Sequence, residues 1–301
     1  PALRPWLNPL FGSKWVKKWM GLAPSRSMPK LAPGAIMRYY NDQYSAKKVA
    51  NGGKEVRCVV LWADEFTVAQ EPMLIGKCID ILEALGLKPV VFDHPTGRAL
   101  LSSGYLEEAK VIAEQAWKKL SPLLERLDPE AIIGLEPSGV LSARDEYLRL
   151  VDSSLLVRFK ESAHLFQTLD AFLANYLQKQ GAPKGIFSPH PGEIVVHVHC
   201  HQKALERPGD TAFVLRTLLQ SPVEYIKSSC CGMAGSYGMK AENFEMSQKM
   251  ANLVLLPKLR DREDATVVAT GTSCRHQIED LAERQSFHLA DVLWDQLVRP
   301  Q

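Results

Sequence analysis

The chain has 301 residues, 46% hydrophobic and 23% charged, which excludes a largely disordered polymer and leaves room for two ordinary domains. No apolar run approaches the ~18 residues that a membrane-spanning helix needs, and six cysteines over this length exclude a small disulfide-built scaffold. The net charge of +2 hides an asymmetry: residues 1–54 hold ten Lys/Arg against one acid, Asp42, so the remainder is acidic by seven charges.

In chain order the first segment is this basic arm, residues 1–54. Phe11, Trp15, Val16, Trp19 and Met20 share one face of a helix, beside Lys14, Lys17 and Lys18. Such a face suits an anionic membrane surface or nucleic acid. The breaks at Pro24, Pro29 and Pro33 favour packing of the aromatic face on protein instead, and nucleic-acid binding is not expected. Lysines interrupt the apolar stretch that a secretory signal would have, so cytoplasmic residence with reduced thiols is expected. A peripheral position on the cytoplasmic membrane face is compatible with the arm.

Residues 55–155 alternate short β-rich runs with amphipathic helices. Residues 56–62 read as a buried strand. Leu74, Ile75, Cys78, Ile81, Leu82 and Leu85 follow at helical spacing and stop at Gly86. Residues 90–92 form a second strand, Leu106, Ala109, Ala113, Ala116, Trp117 and Leu120 mark a second helix, and residues 131–135 form a third strand. A helical bridge, 156–192, is expected next, patterned around 165–177 and broken at Gly181-Ala182-Pro183. The order then returns in residues 193–301, with strands near 194–199, 223–226 and 266–269 and one long helix over about 243–256. This pattern predicts an α/β protein of two related Rossmann-like units, each with a parallel sheet covered on both faces.

Spacing supports a duplication. Thr96 to Gly139 spans 43 positions, as does Cys231 to Cys274; Ala63 to Thr96 spans 33 and Cys200 to Cys231 spans 31.

Cys200, Cys230, Cys231 and Cys274 all fall in the second unit, each after an expected strand. Loops at the carboxyl ends of parallel strands lie on one edge of the sheet and converge, so these thiolates can form a site for zinc or an iron–sulfur cluster. Zinc sites usually pair ligands two to four residues apart, and no C-x-x-C occurs, whereas adjacent cysteines suit a multi-metal cluster better. Gly232 and Gly235 would let backbone approach a bulky cluster. Cys58 and Cys78 fit buried free thiols. A redox-active Cys230–Cys231 pair is a third reading of the same residues.

His197, His199 and His201 alternate, which on a continuing strand would place them on one face, opposite Cys200. A bend after His199 would instead make His201 a donor to sulfur. Arg275 and His276 adjoin Cys274 and would favour a reduced, more negative cluster. His164, His190 and His288 are expected on the surface or as caps.

The runs Cys200-His201-Gln202-Lys203, Cys230-Cys231-Gly232-Met233-Ala234-Gly235 and Ser273-Cys274-Arg275 resemble the cysteine-rich CCG family of iron–sulfur oxidoreductase subunits. That family includes the B subunit of heterodisulfide reductase and the iron–sulfur subunits of glycolate oxidase and anaerobic glycerol-3-phosphate dehydrogenase. The likeness covers most of the chain, including Val59-Val60-Leu61-Trp62, Gly97-Arg98-Ala99-Leu100 and Gly134-Leu135-Glu136-Pro137-Ser138. It is closest to the C-terminal part of fused proteins that join an FAD-linked oxidase domain, a ferredoxin-like 4Fe-4S domain and a CCG region, and that oxidise D-2-hydroxy acids.

The resemblance implies an electron-transfer module with a [4Fe–4S] cluster on Cys200, Cys230, Cys231 and Cys274. Gly232, Gly235, His201 and Arg275 would lie around it. FAD and the hydroxy acid would be held by a partner domain or subunit, and a quinone or protein would accept the electrons. Zinc in a docking scaffold is the alternative. The chain departs from the family pattern at Gly271, where the first cysteine of Cys-x-x-Cys would stand. It departs again in the first unit, where Pro95, Thr96 and Gly139 replace cysteines, so that unit is expected to be a vacant structural partner.

Overall fold

The computed structural model describes residues 12–45 and 57–299. Phe11 of the expected aromatic face and residues 55–56 of the first unit lie outside the described residues.

Two parallel sheets form from the β-branched runs. The first contains β1 (Cys58–Ala63), β2 (Lys88–Asp93), β3 (Ile132–Gly134) and β4 (Phe166–Thr168), in the order β2-β1-β3-β4. The second contains β5 (Ile194–His197), β6 (Val223–Tyr225) and β7 (Thr266–Ala269), in the order β6-β5-β7. All the pairings among them are parallel, and helices connect the strands, giving the expected α/β architecture of two Rossmann-like units.

Alternation along the central strands sorts side chains between two layers. Val59, Leu61 and Ala63 of β1, with Ile194 and Val196 of β5, enter one core shared by both sheets. Helices Met73–Ala84, Leu169–Gln180, Asp210–Leu219 and Leu289–Asp295 complete that core. Val60 and Trp62 point the other way, into a cluster with Phe92, Ile132 and Phe166. Val195 points into a third cluster that contains Cys231 and Cys274. The sheets are thus joined by one apolar layer, and each keeps an outer layer of its own.

Three elements differ from expectation. The bridge is not purely helical: Phe166–Thr168 forms β4 and pairs with β3 before the helix Leu169–Gln180 begins. Phe166-Gln167-Thr168 runs straight into the apolar pattern of that helix, with no turn residue to set it apart. The long helix at about 243–256 is two helices, Phe244–Leu253 and Leu255–Arg260, broken at Val254 with φ −143°; Pro257 lacks the N–H that a continuous helix would use.

The arm is the third. In the helix Lys14–Trp19 the aromatic residues face out, Trp15 being 75% and Trp19 80% exposed. The basic residues dock instead. Lys17 is buried and donates to the Arg26 carbonyl at 2.5 Å. The fully buried Arg26 guanidinium donates to the Gly238 carbonyl (2.9 Å) and Ser247 Oγ (2.8 Å), pairs with Asp280 (3.3 Å) and lies over the Phe244 ring. A guanidinium that finds two acceptors and a carboxylate can be buried, whereas the two indoles stay exposed among the described residues. No helix among the described residues is long and apolar enough to cross a membrane.

Candidate metal centre

The four cysteines reach one place by three chain reversals at the carboxyl edge of the second sheet. After β5 the chain turns at His199, whose Nδ1 accepts the His201 N–H (3.2 Å) and so caps the helix Cys200–Leu205. Cys200 is that helix's first residue. The bend after His199 replaces the continued strand, so the three histidines do not share a strand face. After β6, a loop carries Cys230 and Cys231. After β7, Gly271 caps the helix Thr272–Ala282, which presents Cys274 in its first turn, where the helix dipole favours thiolate.

Cys231 and Cys274 are buried and Cys200 and Cys230 half-buried; all four are free thiols. All four line one pocket of about 600 Å³, with His199, His201, Glu136 and Arg98 also in its wall. The thiols act on one another in neighbouring pairs, with Cys200 and Cys231 as donors toward Cys230 and Cys231 as a donor toward Cys274. Donation to Cys230 pushes the Cys200 and Cys231 thiols up. Acceptance from Cys200 and Cys231 pulls Cys230 down, helped by the Gly232 N–H at 3.3 Å, and acceptance from Cys231 pulls Cys274 down. Thiolates lining one pocket repel one another, so ionising all four is favoured only with a cation among them. The donor set is soft and rich in sulfur, which fits a thiophilic metal or an iron–sulfur cluster and does not fit a hard oxygen-seeking ion.

Part of the wall comes from the first unit. Glu136, 3% exposed at the end of β3, accepts from the Ser138 hydroxyl (2.6 Å) and from the backbone N–H of Thr272 (2.8 Å), and so caps the Cys274 helix from across the interface. Burial opposes its ionisation, but His199, Ser138, the Thr272 N–H and Arg275 outweigh burial and hold its carboxyl below the usual value. Arg98 pairs with Glu146, which sits 3.3 Å from His201 Nε2. Burial is again opposed, here by His201 and Arg98, and Glu146 is held at about 2.

The first unit's own strand-end site is closed by oxygen chemistry. The caps Asp64 and His199 occupy matching places after β1 and β5, which sets Glu65, rather than Ala63, opposite Cys200. The Glu65 carboxylate accepts from the Thr96 N–H (2.7 Å), the Thr96 hydroxyl (2.9 Å) and the Arg98 N–H (3.1 Å). A Cβ on Gly139 would lie 3.4 Å from the Thr96 side chain, so Thr96 and Gly139 adjoin as Cys231 and Cys274 do. A carboxylate and a hydroxyl have taken positions where the second unit has sulfur.

The other residues expected around the site behave differently from one another. His201 lines the pocket with Nδ1 3.9 Å from Cys200 Sγ and stacks on His199. Arg275 turns away: its guanidinium binds Glu71 (3.1 Å from Nε) and the Ala269 carbonyl (2.8 Å). Gly232 has φ +95°, and a Cβ there would be 2.4 Å from the Ser247 carbonyl; it is demanded by close packing against the helix Phe244–Leu253. Gly235, φ +64°, lines the pocket opposite Ser102. His288 caps the helix Leu289–Asp295 as expected. Sequence reasoning did not single out Glu136, Glu146 or Glu65, whose importance depends on an interface between distant segments. His199 was visible only as one of three alternating histidines.

No family model matches the chain. It is 27% identical over 298 residues to D-2-hydroxyglutarate dehydrogenase of Pseudomonas putida, which covers 95% of this chain and 28% of that protein. It is 26% identical over 274 residues to the Escherichia coli D-2-hydroxyglutarate dehydrogenase, covering 88% and 25% of the two. It is 26% identical over 268 residues to the C subunit of the anaerobic glycerol-3-phosphate dehydrogenase of Escherichia coli, covering 84% and 61%. The chain spans about a quarter of the length of these hydroxyglutarate dehydrogenases.

Proposed function

We propose that this chain is the iron–sulfur electron-transfer portion of a flavin-dependent oxidoreductase acting on a D-2-hydroxy acid, of the CCG type. The observation that carries the reading is the meeting of four free thiols from three strand-end loops in one pocket. The dehydrogenase relatives support the oxidoreductase class. FAD and the hydroxy acid are assigned to a partner domain or subunit, together with a ferredoxin-like domain, and a quinone or protein accepts the electrons. We place the chain in the cytoplasm, with catalysis of substrate oxidation outside it.

A bound cluster would take up and release single electrons. Cys200, Cys230, Cys231 and Cys274 would hold it. The chain's other residues set its surroundings: Glu136 fixes the start of the Cys274 helix, His199 fixes the start of the Cys200 helix, and the Arg98–Glu146 pair orients His201 beside Cys200. The first unit serves as a rigid wall. Its strand-end site, already filled by Glu65, leaves the second unit's sulfurs as the metal-binding set.

The test is anaerobic reconstitution with iron and sulfide, followed by analysis of both and EPR after reduction. The reading expects iron and acid-labile sulfide in equal amounts and a reduced-cluster signal. Pure folded protein holding zinc without sulfide would replace it with a zinc-stabilised docking scaffold.

A further inference from the structure

The parity of β5 delivers a histidine to the sulfurs. Ile194 and Val196 face the shared core, and Val195 faces the outer cluster that holds Cys231 and Cys274. His197 has the parity of Val195 and is 1% exposed. A ring nitrogen of His197 and the sulfurs of Cys231 and Cys274 all lie within 4.8 Å of one another. Nδ1 is engaged with Ser228 Oγ at 2.9 Å, which leaves Nε2 for the sulfur side. A buried imidazole needs a partner at each nitrogen, and a ligating histidine has its second nitrogen held by a hydrogen-bond acceptor, a place that Ser228 Oγ takes here.

We propose that His197 ligates the metal centre through Nε2, beside Cys231 and Cys274. The proposal rests on the cluster reading above and deepens it by adding a nitrogen donor to the thiolates. Three observations converge on His197. Gly271 offers no side chain, and a Cβ there would lie 2.4 Å from His199 Cδ2 and 3.4 Å from Cys274 Sγ. The His199 ring therefore fills the space through which a cysteine at 271 would reach the cluster, so position 271 supplies no donor on the Cys274 side.

The neighbouring histidines face Cys200 instead: ring nitrogens of His199 and His201 and the Cys200 sulfur form a separate group within 4.8 Å of one another. His199 Nδ1 accepts the His201 N–H, and His201 is half-buried with Nε2 turned to Glu146. Finally, the two units act as a built-in control. Matching the caps Asp64 and His199 sets Trp62 opposite His197. In the first unit, whose strand-end loops carry no cysteine, this place holds an indole packed on Phe92 and Phe166, whose N–H goes to the His94 carbonyl (2.7 Å). In the second unit it holds a buried imidazole. Nitrogen in place of sulfur raises the reduction potential of an iron–sulfur centre.

The experiment uses the full chain, reconstituted anaerobically with iron and sulfide and reduced, with natural or ¹⁵N-labelled histidine. Pulsed EPR is expected to show one strongly coupled nitrogen that changes isotope with the label. That coupling is expected to vanish in His197→Ala. A cluster with full iron and sulfide and only weak nitrogen couplings overturns the ligation while leaving the cluster reading intact. Zinc without sulfide overturns the cluster reading instead. Absorption spectroscopy at the zinc edge then decides the ligation: a nitrogen shell lost in His197→Ala supports it and an all-sulfur shell refutes it. Should His197→Ala fail to fold, His201→Ala is read instead: a strong ¹⁵N coupling that survives it supports the ligation, and one lost with it, or absent from the unsubstituted chain, overturns it.

Discussion

Glu136→Gln tests whether the first unit supports the metal-binding edge of the second. The carboxylate receives the Ser138 hydroxyl at one oxygen and the Thr272 N–H at the other. An amide offers one oxygen and one N–H₂, so either Ser138 or Thr272 meets a donor. A buried donor left without an acceptor costs about 1–3 kcal/mol. Loss of the negative charge beside the buried Arg275 adds roughly 1 kcal/mol. The sum, about 3 kcal/mol, corresponds to a fall of about 6 °C in melting temperature for a chain of this size.

The carboxyl is held below its ordinary value of 4.5. Its contribution is therefore full above that pH and is lost as pH falls through the lower folded value. Urea unfolding followed by circular dichroism should give a gap between wild type and variant that is constant from pH 8 to 5 and narrows below about pH 4. Equal stability at pH 7 would refute the bridging role. A gap that did not narrow in acid would refute its ionic part.

Asp64 has the opposite sign. Burial pushes its carboxyl up to about 7, so the folded state resists ionisation and stability falls as pH rises from about 4 to 7. Asp64→Asn keeps an oxygen for the Phe66 and Thr67 N–H groups and is expected to remove that slope and to exceed wild type by about 4 kcal/mol at pH 8, read by the same urea titration. Arg26→Ala should cost about 3 kcal/mol, because the buried Asp280 loses its guanidinium and keeps only the Ser27 N–H and the His276 ring. Limited proteolysis should then cut within residues 12–45 at protease levels that spare wild type.

The α/β class was legible because two periods, one for strands and one for helices, alternate down the chain. The convergence of Cys200, Cys230, Cys231 and Cys274 was legible because parallel strands oblige their following loops to share an edge. β4 was not, because Phe166-Gln167-Thr168 runs without a break into the helical pattern from Leu169 and its strand identity comes from pairing with β3. The arm misled because hydrophobicity predicts what is able to bury, not what has a place to go. Lys17 and Arg26 found carbonyls and a carboxylate, and Trp15 and Trp19 stay exposed among the described residues. The glutamates were hidden because each acts across the interface between units, at sequence separations no local pattern records. Gly232 was expected beside a cluster, yet the atom that excludes its Cβ is the Ser247 carbonyl.

The central claim is that four sulfurs hold an iron–sulfur cluster. Anomalous diffraction at the iron and zinc edges, from crystals grown anaerobically after reconstitution, tests it most directly. The account predicts an iron peak among Cys200, Cys230, Cys231 and Cys274. A zinc peak there, or density showing four uncoordinated thiols, would contradict it.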